Sequence, residues 1–212
     1  MKDLAIVIVS CDKNAHLWSS WYHYFAKNFG FEHPVYILSE TIECKHPNVR
    51  TICINMPNIL LWTKKLRTAI KLIHEPDLFI MMDDFFIKRD VTAEIHAGYE
   101  LFKQTGCDSI RFMAGPNKLC REVPTDFAFF DTDVHELTED SDYKISWSPN
   151  IWKRSFLNKC IAVDESPWMS EVKGSMRVHD AYLLSVVLDS WYHGAMRNNK
   201  LTPEGRRLID DI

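Results

Sequence analysis

Residues 78–87 read LFIMMDDFFI, and Asp83 and Asp84 interrupt what would otherwise be one unbroken apolar run. An unpaired buried carboxylate costs several kcal/mol, so acids in such surroundings are usually paired, protonated or bound to a metal. Neighbouring side chains on a strand point to opposite faces, so one side of a buried sheet cannot accommodate both acids. We therefore predict that a strand ends here and presents both carboxylates at its carboxyl edge.

Two carboxylates at a strand end would suit a hard divalent cation, magnesium or manganese, together with a phosphate-bearing ligand. The alternative is a strand-end turn whose acids face water or cap the next helix, predicted to begin at Val91 and Thr92. The strongly apolar flanks favour the metal site, and both interpretations stay open at this point.

The sequence around this run alternates between strands and helices. Residues 4–9, LAIVIV, form a continuous apolar stretch typical of a parallel strand covered on both faces. Further strands are predicted at 34–38, 50–54 and 109–113, and helices at 17–29, 59–74 and 91–104. This alternation indicates an α/β fold with an open, doubly wound sheet through about residue 113.

The pattern changes after residue 113. Short antiparallel strands are predicted at 127–130 and 143–147, followed by a helix at 149–159. No linker or internal repeat separates the two parts, so we predict one domain over residues 1–212 with two unlike halves. The amphipathic end at 206–212 is compatible with a domain cut from a longer protein.

The composition excludes several classes of protein. A chain of 212 residues with 46% hydrophobic residues can bury a sizeable core, and its net charge of −4 argues against nucleic acid as a partner. The six cysteines are scattered without a C-x-x-C pair, which argues against a zinc site or disulfide framework and favours a reducing compartment. No segment reads as a signal sequence or transmembrane span. We therefore expect a cytoplasmic protein.

A second strand end also carries chemical groups, because Ser10, Cys11 and Asp12 follow the first strand. Ligands of open α/β sheets bind beyond the carboxyl ends of the strands, so Asp12 is a candidate for a hydrogen bond to a nucleotide base or ribose. A helix N-cap is the structural alternative for Asp12 and is equally well supported. The absence of G-x-G-x-x-G and G-x-x-x-x-G-K-[ST] argues against a dinucleotide dehydrogenase and a P-loop NTPase.

Several motifs, in this order, resemble those of GT-A glycosyltransferases. They are S-C-D after the first strand, W-x-K-K-L in the second helix, D-D-F-F after the central strand, S-P-W-x-x-E-x-x-G-S at 166–175, and H-G at 193–194 followed by a lysine. The resemblance covers nearly the whole chain and extends to the small glycosyltransferase domain that opens a multidomain chlorella-virus protein, which would place the chain in the host cytoplasm.

The resemblance implies a GT-A-like single domain with a mostly parallel, Rossmann-like sheet flanked by helices and a smaller antiparallel part on the acceptor side. Residues 1–113 would bind the nucleotide sugar. Residues 114–212 would contribute the acceptor side and a C-terminal segment that closes on the donor.

The metal ligands follow from the same resemblance. Family members hold manganese or magnesium on the donor diphosphate through a D-x-D signature, and here that signature is degenerate. The resemblance implies that Asp84 contacts the metal, that Asp83 is a further ligand or contacts the donor ribose or sugar, and that His193 is a C-terminal ligand. An interfacial aromatic cluster at 191–193 is the alternative for His193.

Other donor contacts are also implied by the resemblance. Ser10, Cys11 and Asp12 would line the nucleotide, Lys65 would face the donor, and Lys200 would bind its diphosphate. A solvated surface lysine is an equally supported alternative for Lys65. The resemblance favours UDP as the nucleotide.

Transfer also needs a group near the acceptor hydroxyl. Glu171 is the first candidate, as a general base or as a group that positions the sugar, and Asp180 is the reserve. Either acid could instead lie at a solvated helix start. Trp147, Trp152 and Trp168 would form an acceptor platform, because sugars stack their C–H faces on such rings; core packing is the alternative.

These patterns together predict a metal-dependent glycosyltransferase that moves a hexose or deoxyhexose from a nucleotide-diphosphate donor to a saccharide acceptor. A sugar nucleotidyltransferase is one rival, although the first strand lacks the glycine-rich loop expected to follow it. A non-catalytic glycan- or nucleotide-binding domain of the same fold is the other. The oligomeric state does not follow from the sequence.

Overall fold

The computed structural model describes residues 3–115, 120–198 and 200–212. Its strands lie at Leu4–Val9 (β1), Val35–Ser39 (β2), Val49–Cys53 (β3), Asp77–Met82 (β4), Phe85–Ile87 (β5), Ser109–Met113 (β6), Glu122–Phe129 (β7), Thr132–Leu137 (β8), Asn150–Lys153 (β9), Leu183–Val187 (β10), Tyr192–Gly194 (β11), Met196–Arg197 (β12) and Lys200–Leu201 (β13).

Helices cover both faces of the central sheet. They lie at Trp18–Asn28 (α1), Trp62–Ile70 (α2), Thr92–Thr105 (α3), Arg154–Cys160 (α4), Pro167–Arg177 (α5) and Pro203–Asp210 (α6), with short 3-10 helices at Asp12–Leu17 and Ile59–Leu61. The helices predicted at 17–29, 59–74 and 91–104 are confirmed, with shifted ends.

The central sheet has nine strands in the order β3-β2-β1-β4-β9-β6-β10-β8-β7. Strands β1 to β4 pair in parallel, as do β6 and β10. Strand β9 lies between β4 and β6 and is antiparallel to both, so β4 and β6 run in the same direction. Strands β8 and β7 add an antiparallel edge. The predicted α/β fold with a mostly parallel sheet and an antiparallel part is confirmed.

The sheet packs against a hydrophobic core on each face. Strand β1 is buried along its whole length, as its continuous apolar sequence predicts. Alternate residues of β1 and β4 contribute to the two cores. One core includes residues of α1, α3 and α6, and the other includes residues of α2 and α4.

The prediction for residues 143–159 is wrong in two places. The segment 143–147 is irregular rather than a strand, because side chains bind its backbone: Ser175 accepts from the N–H of Ile145, and Arg111 donates to the carbonyl of Tyr143. The segment 149–159 begins with β9 and becomes helical only at Arg154. Pairing with two neighbouring strands overrides the helical pattern here.

The C-terminal segment returns to the middle of the chain. Strand β11 pairs with β5, which follows β4 directly. Helix α6 then packs closely on the segment after β11, since a Cβ at Gly205 would lie 2.5 Å from the carbonyl oxygen of Ala195. The hydroxyl of Tyr24 donates to the carbonyl of Leu208 at 2.9 Å. These contacts hold the last elements beside the ends of β1 and β4.

None of the six cysteines forms a disulfide, as their scattered positions predict. Among the described residues, no helix has the length and apolar character needed to cross a bilayer.

Candidate functional site

The candidate site lies at the carboxyl edge of β1 and β4. These strands are adjacent and parallel, with Val9 opposite Met82, so Ser10 and Asp83 lie side by side just beyond them. Strand β4 ends at Met82, which confirms the strand end predicted at Asp83.

Asp83 is buried, with 1% of its surface exposed. Its carboxylate accepts hydrogen bonds from the hydroxyl of Ser10 and, at 3.2 Å, from the amide of Asn14. The indole N–H of Trp18 donates to the Ser10 oxygen at 2.7 Å, which leaves the Ser10 proton for Asp83. Burial raises the pKa of Asp83 to about 7, with Asp84 adding to the rise and the Ser10 hydrogen bond opposing it.

Asp84 is half-buried and holds the C-terminal segment. Its carbonyl accepts from the N–H of Ala195 at 2.7 Å. Burial raises the pKa of its carboxyl to about 6, and hydrogen bonds from its own N–H and that of Met196 oppose the rise. Asp84 therefore lies between the end of β4 and the returning segment, and it is the more accessible of the two acids.

The chemistry of these two acids fits a hard cation. Burial disfavours their charged forms, and a divalent cation would offset that desolvation with oxygen ligands of the kind magnesium and manganese prefer. Within the described residues no three His, Cys, Asp or Glu side chains come close enough to hold a metal together. Water and phosphate oxygens would therefore have to complete the coordination.

The burial of Asp83 does not agree with the predicted contact between this residue and the donor ribose or sugar. Both of its carboxylate oxygens are directed at Ser10 and Asn14 within the protein. Its 1% exposure leaves almost no surface for a ligand. The side chain therefore holds Ser10 and Asn14 in place and does not itself face the ligand side.

His193 lies in β11 opposite Phe86 of β5. Its Nε2 lies 3.0 Å from the hydroxyl of Thr202, and burial lowers its pKa, with Glu204 opposing the change. The structure does not bring His193, Asp83 and Asp84 into one group of three ligands. A metal contact from His193 stays a prediction.

Lys65 lies beneath the loop that follows β1. It is 2% exposed, and its ammonium donates to the carbonyl of Ser10 at 2.8 Å and to Glu40 at 2.5 Å. Glu40 is also buried. The alternative of a solvated surface lysine is therefore wrong, and the predicted contact of Lys65 with the donor stays a prediction.

Asp12 binds the loop that follows β2. Its carboxylate accepts from the backbone N–H groups of Glu40, Thr41 and Ile42 at 3.0–3.1 Å and from the Thr41 hydroxyl at 2.5 Å. Burial would raise the pKa of Asp12, but these hydrogen bonds lower it to about 2. The N-cap alternative is wrong, since Cys11 precedes the 3-10 helix and Asp12 is its first residue.

The remaining residues predicted to contact the nucleotide sugar lie at the same edge. Cys11 is half-buried, and burial, followed by the nearby charge of Asp83, raises the pKa of its thiol. Lys200 opens β13, on the hairpin whose other strand begins at Met196 beside Asp84. It is exposed, and its contact with a diphosphate stays a prediction.

Glu171 reaches the same edge of the sheet from α5. Its Oε1 accepts a hydrogen bond from the backbone N–H of Trp147 at 2.8 Å. Trp147 lies three residues before β9, and β9 begins at that edge. Burial raises the pKa of Glu171, and hydrogen bonds from Trp147 and Ser146 oppose the rise. Glu171 thus anchors the loop before β9, and its role towards an acceptor stays a prediction.

Asp180 does not belong to this site. Asp180 precedes β10, which is parallel to β6. Since β6 and β4 run in the same direction, the start of β10 lies at the amino edge of the sheet. Asp180 therefore lies at the edge opposite Asp83 and Asp84. The prediction of Asp180 as a reserve catalytic acid is wrong, because the length of the strands lies between Asp180 and the strand ends that form the site.

Two of the three predicted acceptor tryptophans are core residues. Trp152 is fully buried in β9, and Trp147 is 5% exposed with its indole N–H bound to Ser170 at 2.8 Å. Neither ring offers a face to a sugar, so the core alternative is correct for both. Trp168, at the start of α5, is 67% exposed and remains available.

Sequence reasoning missed Asn14, Glu40 and the backbone N–H of Met196. The position of Glu40 could have been predicted from the sequence. It follows β2, which neighbours β1 in a parallel sheet, and so lies at the edge where such sheets bind ligands. For Asn14 and Met196 the sequence gives no such indication, since the side chain of a 3-10 helix and a backbone N–H group reach the acids only through the three-dimensional fold.

No protein-family model and no curated protein sequence matches the chain. Among solved structures, it is similar to residues 1–349 of S. aureus TarS, with a TM-score of 0.61 and 15% identity over 91% of this chain and 60% of that chain. The same TarS segment in complex with UDP-GlcNAc gives a TM-score of 0.56 and 16% identity over 95% of this chain and 60% of that chain.

A UDP-glucose pyrophosphorylase complexed with UDP-glucose is also similar, with a TM-score of 0.54 and 10% identity over 92% of this chain and 93% of that chain. The chain spans 60% of the TarS segment. These similarities establish a GT-A-like fold, in agreement with the resemblance noted in the sequence.

We predict that Lys65→Met lowers the free energy of unfolding by about 3–5 kcal/mol, because Glu40 would be left as an unpaired buried carboxylate. Urea denaturation measures the change. The matched control is Lys64→Met, one residue away on the exposed side of α2, which should change stability by no more than about 0.5 kcal/mol. Equal effects of the two substitutions would contradict the structural role of Lys65.

Proposed function

We propose that this chain is a metal-dependent glycosyltransferase that takes its sugar, a hexose or deoxyhexose, from a nucleotide-diphosphate donor and passes it to a saccharide acceptor. The observation that carries the proposal is the placement of Asp83 and Asp84 at the carboxyl edge of β1 and β4 in a GT-A-like fold. This edge is where open α/β sheets bind ligands.

UDP is the proposed nucleotide. TarS, which has a similar fold, was solved with UDP and with UDP-GlcNAc, and the similar pyrophosphorylase was solved with UDP-glucose. The origin in a chlorella virus and its host cytoplasm stays a prediction from the sequence alone.

Asp84 is the proposed metal ligand, because it is the more accessible acid, and Asp83 would support it through Ser10 and Asn14. Manganese or magnesium would neutralise the charge that develops on the departing nucleoside diphosphate. Lys200, on the hairpin beside Asp84, would add a second positive charge for the same diphosphate.

The acceptor would bind on the side of Glu171 and Trp168. Glu171 has a raised pKa and one carboxylate oxygen bound to the backbone of Trp147, which orients the side chain. It would accept the proton of the acceptor hydroxyl or position the sugar. Trp168 would offer an exposed ring face for stacking.

A sugar nucleotidyltransferase is the second candidate, because the similar pyrophosphorylase matches 93% of its own length. The two reactions release different products. A transferase releases the nucleoside diphosphate when acceptor is present, whereas a nucleotidyltransferase consumes a nucleoside triphosphate and a sugar phosphate and releases pyrophosphate. Detection of pyrophosphate from UTP and a sugar phosphate would replace the first proposal by the second.

Thermal unfolding with UDP, GDP and a set of UDP-sugars, each with and without manganese, tests the nucleotide site. A ligand at 100 times its Kd stabilises the native state by about 2.7 kcal/mol, or about 5–11 °C in melting temperature at about 2–4 °C per kcal/mol. We expect this shift only when UDP or a UDP-sugar and manganese are both present.

The Asp84→Asn variant should keep the fold and lose the shift that requires manganese, because an amide is a poor replacement for a carboxylate on a hard cation. Asp180→Asn, at the opposite edge of the sheet, is the matched control and should keep the full shift. An unchanged shift in the Asp84 variant would remove Asp84 from the metal site. No shift with any nucleotide in the native chain would favour the non-catalytic alternative.

We predict that Glu171→Gln keeps stability and donor binding but lowers sugar transfer by about 10²–10⁴-fold, the usual contribution of a general base. Glutamine retains a carbonyl acceptor for the N–H of Trp147. Glu171→Ala removes that acceptor and should also lower the free energy of unfolding by about 1–3 kcal/mol.

The measurements are transfer rates with the UDP-sugar identified by thermal unfolding, and urea denaturation of each variant. Full transfer activity in Glu171→Gln would leave Glu171 with its anchoring role alone.

A further inference from the structure

The outer surface of α2 carries exposed positive charge and no acid. The chain has a net charge of −4, yet residues 59–74 contain four basic residues and no acid. Lys65 points inward to Glu40, whereas Lys64 and Lys71 are exposed. Neither exposed lysine forms an ion pair within the described part of the chain.

Helix α5 carries an exposed apolar stripe. Trp168, Val172 and Met176 follow one another at four-residue spacing and are 67%, 45% and 71% exposed. Lys173 is exposed between them. Further exposed apolar side chains flank α2, with Ile59 and Leu60 before it and Leu72 after it.

Helices α2 and α5 lie next to each other on the same face of the sheet. The N–H of Thr63 donates to the carbonyl of Glu165 at 3.1 Å, and the guanidinium of Arg67 reaches the carbonyl of Ile161 at 3.3 Å. Their exposed residues therefore form one surface, which we name the α2–α5 face. It consists of Ile59, Leu60, Lys64, Lys71, Leu72, Trp168, Val172, Lys173 and Met176.

Two acids near this face are turned inward. Glu171 binds the backbone of Trp147, and Glu165 is buried in an ion pair with Arg177 at 2.8 Å. The loop before α5 contributes an exposed acid, Asp164. Positive charge therefore dominates a surface on which large apolar side chains are exposed.

We propose that the α2–α5 face docks on an anionic lipid surface. Lysines attract acidic headgroups, while exposed tryptophan and aliphatic side chains insert at the boundary between headgroups and acyl chains. Tryptophan in particular favours this boundary. A negatively charged bilayer attracts lysines and repels acids, which agrees with a surface on which exposed lysines outnumber exposed acids.

The orientation of the face places the candidate site beside the bilayer. Both helices begin at the edge that carries Asp83 and Asp84: Lys65 in the first turn of α2 binds Ser10, and Pro167 at the start of α5 accepts from the indole of Trp147. The test of docking is kept apart from the proposed transfer reaction by Lys64 and Lys71, which lie outside the site, whereas Trp168 is shared with the proposed acceptor side.

Co-sedimentation of the purified chain with vesicles tests the proposal. One set of vesicles consists of phosphatidylcholine alone and the other also contains phosphatidylserine. We expect binding to the anionic vesicles only, and we expect added salt to weaken it by screening the lysines.

Variants locate the binding surface. Lys64→Gln and Lys71→Gln should each weaken binding about fivefold, and Trp168→Ser should weaken it further, because each lysine near an anionic surface contributes about 1 kcal/mol. The matched controls are Lys27→Gln and Phe130→Ser, which should bind like the native chain. Lys27 is an exposed lysine on α1, across the sheet, and Phe130 is an exposed aromatic residue between β7 and β8.

Three outcomes would overturn the proposal. They are absence of binding to the anionic vesicles, equal binding to both vesicle types, and equal loss of binding in the control variants. Light scattering of the lipid-free chain adds a fourth: a dimer that dissociates in Trp168→Ser would assign the face to a contact between two copies of this chain.

Discussion

The buried carboxylate of Asp83 holds together the part of the structure on which the site depends. It accepts from Ser10 beyond β1 and from Asn14 in the following 3-10 helix, so it ties the end of β4 to two points of the neighbouring segment. Such a group is stable in the interior only while its hydrogen bonds are made. The sheet pairing sets the separation of the two strands as far as Val9 and Met82, and this carboxylate holds the segment that follows β1 against the end of β4.

A second buried charge supports the same loop from the other face of the sheet. Lys65 joins the carbonyl of Ser10 to Glu40, and Glu40 in turn accepts the N–H of Asp12. Asp12 completes the cycle, because its carboxylate accepts from the backbone N–H groups of Glu40 and Thr41. The loops after β1 and β2 thus hold each other in place at the edge of the sheet where the candidate site lies.

The sequence predicted the parts of the fold that depend on local pattern. The continuous apolar run of β1 and the interruption at Asp83 are local signals, and both strands end where expected. Strand β9 was missed because its place between β4 and β6 comes from pairing with residues far along the chain. Trp152 and Asp180 were misjudged for the same reason, since burial and sheet edge follow from topology and not from residue type.

The C-terminal segment reaches the two acids by returning to the middle of the chain. Asp84 binds Ala195 through its carbonyl, and α6 is held against Ala195 by Gly205, which has no Cβ to prevent the contact. The pairing of β11 with β5 places this segment beside the acids. Because the accessible acid is also the anchor of this segment, a ligand that binds Asp84 would compete with or reorganise the Met196 contact. Binding at the acids and the position of the C-terminal hairpin would thereby be coupled.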